Sequence, residues 1–477
     1  MVVSYFCNEI VTHNHKTHHS CLTRGLFCET RKNRPRKKRG FFKVKTMKFT
    51  SLNKKSPSVS FEDAIFVGLA PDGGMYVPEK IPQFTKAELE QIPHMSLHDI
   101  ATLTLHKWLH DELTKGEIED IVKKAISFPI PLVEVGGYKV LELFHGPTMS
   151  FKDVAAKILA HTMKTFMRKK KRAIKLLMAT SGDTGIAVGH SFTDIEDAKA
   201  ILLFSNQLNN RLRREQLLRI GNNVLAIEVD GSYADCHRLV RQAFTDKDLD
   251  KLGITSANSI NVGRLLPQII YFVYLYALMY PSTATLVIPT NNFGNSTTAL
   301  ITQLMGIPFD KIVLATPVDN FISKYHATGK YNGRDYSPDQ ITLIEHKNFT
   351  NFPRILHFCG YSHKRFKELF DAYSVVDSKA IHMMHAVWHE YNYLTEPGTA
   401  RAWVVADSIA TRNKNIVIVT TSSPQKFAEE IHKQAGIHVD DHAVLAHWRK
   451  KKSRVMTIPN DYDIFKSLVI KEFSSKG

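Results

Sequence analysis

The chain has 477 residues, 43% hydrophobic and 23% charged, which fits a globular protein of two or three domains and leaves no apolar run near the length of a membrane span. A net charge of +17 suggests a nucleic-acid partner until it is mapped. Residues 1–46 hold eleven Lys and Arg against two acidic residues, more than half of the excess, so the remainder is only mildly basic.

Those first 46 residues show no sustained hydrophobic period, and 31–45 is a basic run. Three readings compete. A transit peptide would be basic and acid-poor, but also richer in serine than Ser4 and Ser20 make it. A nucleic-acid tail would carry more aromatic interleaving. The reading favoured here is an upstream extension, with Met47 as the working start. Cysteine divides the same way: Cys7, Cys21 and Cys28 lie in the extension, while Cys236 and Cys359 have neither zinc-site nor disulfide spacing, so a reducing compartment is expected.

After Met47 the pattern becomes that of a folded chain. Residues 48–51 predict a short strand. Ser60 predicts a helix start, with Asp63 in a capping-box-like place. A turn-rich loop spans 68–78, and helical segments run to about Ala125. A β-rich run at 138–144 leads through Gly146-Pro147 to Lys152 and an apolar helix over 154–166. Beyond it, β-branched runs at 174–180, 200–205, 224–229, 285–290, 311–316 and 416–421 alternate with helix-period segments such as 207–221, 233–245, 263–279 and 296–305. Strands alternating with helices predict parallel α/β sheets covered on both faces.

The chemistry is expected at four strand ends, where open α/β sheets bind ligands. Lys152 stands at one such junction. Partial desolvation there would disfavour its ammonium form and make the amine a nucleophile able to form a Schiff base, although a lone lysine of this kind is commonly a snorkelling surface residue. Three further loops shift that balance. Thr180-Ser181-Gly182-Asp183-Thr184-Gly185 leads into a helix, where glycines allow close approach and free N–H groups suit an anion. Thr290-Asn291-Asn292-Phe293-Gly294-Asn295-Ser296-Thr297 is a second cradle of the same kind, and Thr420-Thr421-Ser422-Ser423-Pro424 a third loop. Each alone also reads as an ordinary capped βα turn. His382, His385 and His389 share one helical face but lack a further ligand, so no metal is expected.

Taken in order, Ser-Phe-Lys-Asp, Thr-Ser-Gly-Asp-Thr-Gly, Asn-Ser-Ile-Asn-x-x-Arg, Asn-Phe-Gly and Thr-x-x-Pro-x-Lys-Phe resemble the threonine synthase family. The likeness runs from about Lys48 to about Gly436 and includes Leu69-Ala70-Pro71-Asp72-Gly73-Gly74. It implies a pyridoxal-phosphate (PLP) enzyme of the tryptophan-synthase-like fold, fold type II: two open-sheet α/β domains and an N-terminal, partly helical segment. The implied domains are a basic extension (1–46), an N-terminal segment (47–130), a large PLP-binding domain (131–172 and 245–477) and a small α/β domain (173–244).

The resemblance also implies roles. Lys152 corresponds to the lysine that binds the cofactor covalently and shuttles protons. Asp183 is expected nearest the cofactor ring, Asn291, Asn292, Phe293, Gly294 and Asn295 around its phosphate, and Thr421 facing the pyridine nitrogen. A neutral hydroxyl there does not force that nitrogen to be protonated. Ser181, Gly182 and Thr184 are expected at the substrate carboxylate, and Ser259, Asn261 and Arg264 at the substrate phosphate, where an arginine fork suits the geometry. Two departures stand out: Asn291 and Asn295 replace Gly and Asp of the family's usual Gly-Asn-Phe-Gly-Asp, and Gly398 replaces the histidine of Asp-Pro-His-Thr-Ala.

The implied activity converts O-phospho-L-homoserine and water to L-threonine and phosphate. The alternatives are a PLP phospho-lyase releasing 2-oxobutyrate, ammonia and phosphate, and a nucleic-acid binder led by the basic extension. A small-molecule substrate, a monomer or homodimer, no nucleic-acid or membrane partner and a cytoplasmic location are expected, or an organellar one if 1–46 is a true transit peptide.

Overall fold

The β-branched runs become strands because both faces of each are covered, so a near-continuous apolar sequence is what the positions demand. The computed structural model describes residues 46–170, 173–193, 195–318, 321–330 and 351–474. The expected extension, 1–46, therefore lies outside the described residues except for Thr46.

In chain order the strands are β1 (Phe49–Ser51), β2 (Tyr76–Pro78), β3 (Leu132–Val135), β4 (Tyr138–Glu142), β5 (Ile174–Ala179), β6 (Ala198–Ser205), β7 (Val224–Asp230), β8 (Ala284–Pro289), β9 (Phe309–Pro317), β10 (Phe370–Val375), β11 (Ile416–Thr420) and β12 (Val455–Pro459). A six-stranded sheet has the order β10-β9-β8-β11-β4-β3, parallel except for the β3–β4 hairpin, and a four-stranded sheet has the order β12-β7-β6-β5, parallel throughout. β1 and β2 form a small antiparallel pair. All five residues of β11 are buried, as are seven of the eight in β6.

Helices cover the sheets, and five of them matter for the site: α1 (Lys152–Lys170), α2 (Asp183–Phe192), α3 (Arg211–Leu218), α4 (Gly294–Leu304) and α5 (Pro397–Ile409). The N-terminal segment is helical as expected, and Ser60 caps its first helix by accepting from the Asp63 N–H.

Two expectations need correction. The C-terminal region does not stay with the large domain: β12 pairs with β7, from Val455 opposite Ala226 to Pro459 opposite Asp230. Ile458, Phe465, Val469 and Phe473 bury the strand and its following helix against Ile227 and Leu239 of the small domain. In addition, Val262–Met279 is apolar and long enough to span a bilayer by composition, yet 78% of it is buried inside the protein. Tyr271 interrupts the apolar run but is as buried as Leu265, Leu266 and Leu275, while Tyr274 and Tyr276 are half-buried.

Candidate active site

The carboxyl ends of β4, β8 and β11 in one sheet and of β5 in the other converge on a cavity of about 450 Å³. Lys152, Ser181, Asp183, Thr184, Asn291, Asn292, Phe293, Gly294, Asn295 and Thr421 all line it. The structure therefore joins four stretches that are far apart in sequence.

Lys152 begins α1 directly after a turn in which Met149 takes a positive φ of 61°. That turn is tied to the β11 loop by Phe151 N–H donating to Thr421 O (2.9 Å) and Ser423 N–H donating to Met149 O (3.1 Å). The Lys152 side chain is 21% exposed, with Nζ 3.7 Å from Asp183 Oδ2 and 4.6 Å from the centre of the Phe151 ring. Burial pushes its amine down to about 8 against the pull of Asp183, and the nearby cations Lys426, Arg213 and Arg264 push the same way as burial.

Asp183 is the electrostatic hub. Its carboxylate accepts from Arg213 Nε at 3.0 Å and lies 2.8 Å from Lys426 Nζ, which also donates to Thr148 O at 2.8 Å. Burial alone would raise this carboxyl, but Lys426, Arg213 and Lys152 together hold it well below the usual carboxylate range. Gly182, just before it, has φ 132°, and a Cβ there would sit 2.8 Å from Arg213 Cδ. Glycine is thus required both by the backbone and by the arginine lying across it. Thr180 Oγ1 pins the same loop by accepting from the N–H groups of Gly182 and Gly185.

At the β8 end, Phe293 takes a left-handed φ of 59° and caps α4, which points its first turn at the cavity. Asn351 holds the loop through an N–H to Asn292 O (2.8 Å) and Nδ2–H to Asn292 Oδ1 (2.8 Å). Ser259 Oγ reaches the same Asn292 Oδ1 at 3.3 Å. Asn295 is buried, and its Oδ1 accepts from the Tyr271 hydroxyl.

Four expected site residues do not line the cavity. Gly182 is buried within its loop, and Ser259 meets the cavity loop through its hydroxyl on Asn292 Oδ1. Asn261 is turned inward, donating to Ile65 O and Ser256 O while its Oδ1 accepts from Gly263 N–H. Arg264 is 3% exposed and donates to Ala257 O. Asn261 has become a helix cap, and one turn of helix after such a cap carries Arg264 into the interior. These side chains therefore do not line the cavity itself, although the buried Arg264 guanidinium keeps an unpaired Nε and its charge acts on Lys152.

The cavity contains groups that the sequence reading missed: Arg213, Glu396, Arg401 and Phe427 line it, with Lys426 fully buried behind Asp183. Lys426 lay within the Thr-x-x-Pro-x-Lys-Phe pattern and could have been singled out; Arg213 had no comparable signal. His385 and His389 lie with ring centres 4.1 Å apart and planes tilted by 41°, and no group of three or more potential metal ligands occurs among the described residues.

Residues 48–126 match the family described as threonine synthase N terminus, and residues 131–422 the pyridoxal-phosphate dependent enzymes. The chain is 31% identical to the threonine synthase of Buchnera aphidicola subsp. Schizaphis graminum over 393 residues, covering 81% of this chain and 91% of that relative. The chain belongs to the threonine synthase family of PLP-dependent enzymes. It is also 28% identical to the Escherichia coli K12 threonine synthase over 429 residues, covering 89% of this chain and 99% of the relative. Among solved structures, it resembles PLP-bound threonine synthase from Brucella melitensis with a TM-score of 0.83 at 27% identity, covering 90% of this chain and all of that one. For the E. coli enzyme the TM-score is 0.79 at 28% identity, with 89% and 100% covered.

The residues present fit the cofactor that membership of this family implies. Lys152 offers a partly desolvated amine. The start of α4 offers backbone N–H groups suited to a phosphate. A Cβ on Gly294 would meet nothing nearer than Asn351 Nδ2 at 3.8 Å, so the approach to that helix start is open. Thr421 adds a neutral hydroxyl.

Proposed function

We infer that the protein is a threonine synthase, a carbon–oxygen lyase that converts O-phospho-L-homoserine and water to L-threonine and phosphate. The observation that carries this reading is Lys152: an amine with a lowered pKa, in a cavity walled by amide and hydroxyl loops, in a chain similar along most of its length to threonine synthases.

In this reading Asn291–Asn295 hold the cofactor's phosphate, Asp183 and Thr421 contact its ring, and Lys152 attaches it covalently. When bound, PLP supplies the electron sink that makes a proton on the substrate's Cα removable. Lys152 Nζ takes and returns that proton, which requires the neutral amine, so turnover rises as the pH climbs through about 8. Overall, Cβ loses a proton, Cγ loses phosphate and gains a proton, the hydroxyl of water bonds to Cβ, and water's remaining proton goes to the departing phosphate. Ser181 and Thr184 orient the substrate carboxylate from the start of α2. Lys426 and Arg213 keep Asp183 ionised yet neutralise it, so that it does not lock Lys152 as an ammonium ion. The reading includes a cytoplasmic enzyme, monomer or homodimer, acting on this small molecule; the free, buried Cys236 and Cys359 fit a reducing compartment.

The test is a product assay. Incubate the PLP-loaded enzyme with O-phosphohomoserine and quantify threonine, 2-oxobutyrate and phosphate together. Phosphate matched by threonine supports the reading, whereas phosphate matched mainly by 2-oxobutyrate moves the protein to a phospho-lyase.

A further inference from the structure

The proposed reaction holds two phosphates at once. The cofactor's lies at Asn291–Asn295, and the substrate's is expected at the loop and helix start over 259–264, where the buried Arg264 guanidinium keeps an unpaired Nε. These stretches belong to different parts of the chain, yet one side chain outside both joins them. Arg354, in the helix Phe352–Phe358, is fully buried.

Its guanidinium spans three parts of the fold. NH1 donates to Ser259 O at 3.0 Å and to Asn351 Oδ1 at 2.6 Å. NH2 donates to Ile260 O at 2.6 Å and to Tyr76 O of β2 at 3.0 Å. Two of these four acceptors are carbonyls of the 259–264 loop itself. Asn351 carries the link onward: its Nδ2 donates to Asn292 Oδ1 at 2.8 Å and stands 3.8 Å from where a Cβ on Gly294 would lie, at the start of α4. The Ser259 hydroxyl, 3.3 Å from the same Asn292 Oδ1, closes the circuit. Arg354 therefore touches the substrate-phosphate loop directly and the cofactor-phosphate loop through one amide.

These bonds also set directions. In a trans peptide the C=O and the following N–H point to opposite sides. With Ser259 O and Ile260 O drawn to Arg354, the N–H groups of Ile260 and Asn261 face away from it. That of Asn261 is used on Asn258 O at 2.9 Å, whereas that of Ile260 makes no hydrogen bond among the described residues.

The charge is as distinctive as the geometry. All four acceptors of Arg354 are neutral, and its Nε is buried without a hydrogen-bond partner. Burial pushes its guanidinium down to about 9 with no opposing carboxylate, whereas Arg264 has Asp153 acting on it. A buried cation without a countercharge is costly. The two phosphates would supply negative charge at the loops that this cation holds.

We propose that Arg354 is a positioning residue that holds the cofactor-phosphate loop and the substrate-phosphate loop in one geometry and lends both its positive charge from behind. The proposal rests on the threonine synthase reading and adds the group that sets the spacing between the two phosphates. Two pairs of ligands test it, each pair differing in the phosphate. The full chain stripped of cofactor is reconstituted with PLP or with pyridoxal, followed in the near-visible. The PLP-loaded enzyme is titrated calorimetrically with L-homoserine or with the phosphonate analogue of O-phosphohomoserine, in which CH2 replaces the ester oxygen.

In Arg354→Met, PLP and the phosphonate each bind about 10-fold or more weakly, while pyridoxal and homoserine stay close to wild type. Arg354→Lys keeps the charge but cannot span four acceptors, and it recovers part of both losses. Asn351→Ala cuts only the arm to Asn292 and weakens PLP more than the phosphonate. Should the methionine variant not fold, the other two are read, with losses again confined to the phosphate-bearing ligands. A lower melting temperature with both members of each pair weakened equally, or not at all, makes Arg354 a strut of the fold and overturns the proposal. So does a loss in Arg354→Met for only one of PLP and the phosphonate. All of these leave the enzyme reading standing. Wild-type enzyme that binds homoserine but not the phosphonate overturns both.

Discussion

Replacing Lys426 with methionine keeps the length of the side chain and removes one charge from the centre of the site. The Lys426 side chain is fully buried, with Nζ 2.8 Å from Asp183 Oδ1 and 2.8 Å from Thr148 O. Breaking a buried ion pair from one side costs about 3–5 kcal/mol, because the remaining charge is left uncompensated. Asp183 would still have Arg213 at 3.0 Å and Lys152 at 3.7 Å, so the expected loss is at the lower end, about 3 kcal/mol. A second effect falls on Lys152. Burial is the largest cause of its lowered pKa of about 8, Asp183 opposes it, and Lys426 contributes repulsion. Without Lys426 the repulsion goes and Asp183 attracts Lys152 with less competition, so the amine titrates higher, by on the order of one pH unit. Urea unfolding measures the first effect. The second is read from the pH at which PLP added to the apoenzyme gives half of its near-visible bound band. A variant within about 0.5 kcal/mol of wild type, with a midpoint still at about 8, would refute the view of Asp183 as a shared hub.

Other outcomes follow from the same geometry. Lys152→Ala should lower turnover by more than about 100-fold, and borohydride reduction with peptide mapping should mark Lys152 in the wild type; label on Lys157 would refute the assignment. Because the folded-state pKa of Asp183 lies below its usual 3.8, its stabilisation is present above that pH and is lost as the pH falls through the lower folded value; the stability gap between wild type and Asp183→Asn, followed by denaturant titration, should shrink over that acidic range. Gly182→Ala must place a side chain at φ 132° and displace Arg213, at a cost of roughly 1–3 kcal/mol in an unfolding titration. Residues 47–477 expressed alone should match the full chain in PLP content and activity, and an insoluble or inactive product would refute Met47 as the working start.

What was legible in the sequence and what was not divides along the physics of burial. Strands such as β6, β8 and β11 are covered on both faces, so their β-branched runs stand out without any partner being known. Local bonds are equally plain: Ser60 and Asp63 lie three residues apart, and the Thr180–Gly185 loop closes on its own Thr180 hydroxyl. β12 leaves no such mark. Only Ile458 of its five residues is buried, and its partner β7 lies more than two hundred positions earlier. A half-covered edge strand and a distant pairing both escape a reading built on local period.

The charged residues escape it for a deeper reason. Lysine and arginine are expected in water, so a pattern reading assigns them to the surface unless a motif says otherwise. Arg264 came with a motif and was expected at a ligand, yet the Asn261 cap turns it inward toward Ala257 O, where the charge of Asp153 acts on it. Arg213 and Lys426 are 213 residues apart in sequence and meet only because Asp183 stands between them. Each charge is tolerable in the interior only through the other groups around Asp183, and none of those groups is a sequence neighbour of another. A site whose loops are each local, but whose electrostatics are collective, will show its cradle in the sequence while hiding the charges that tune it.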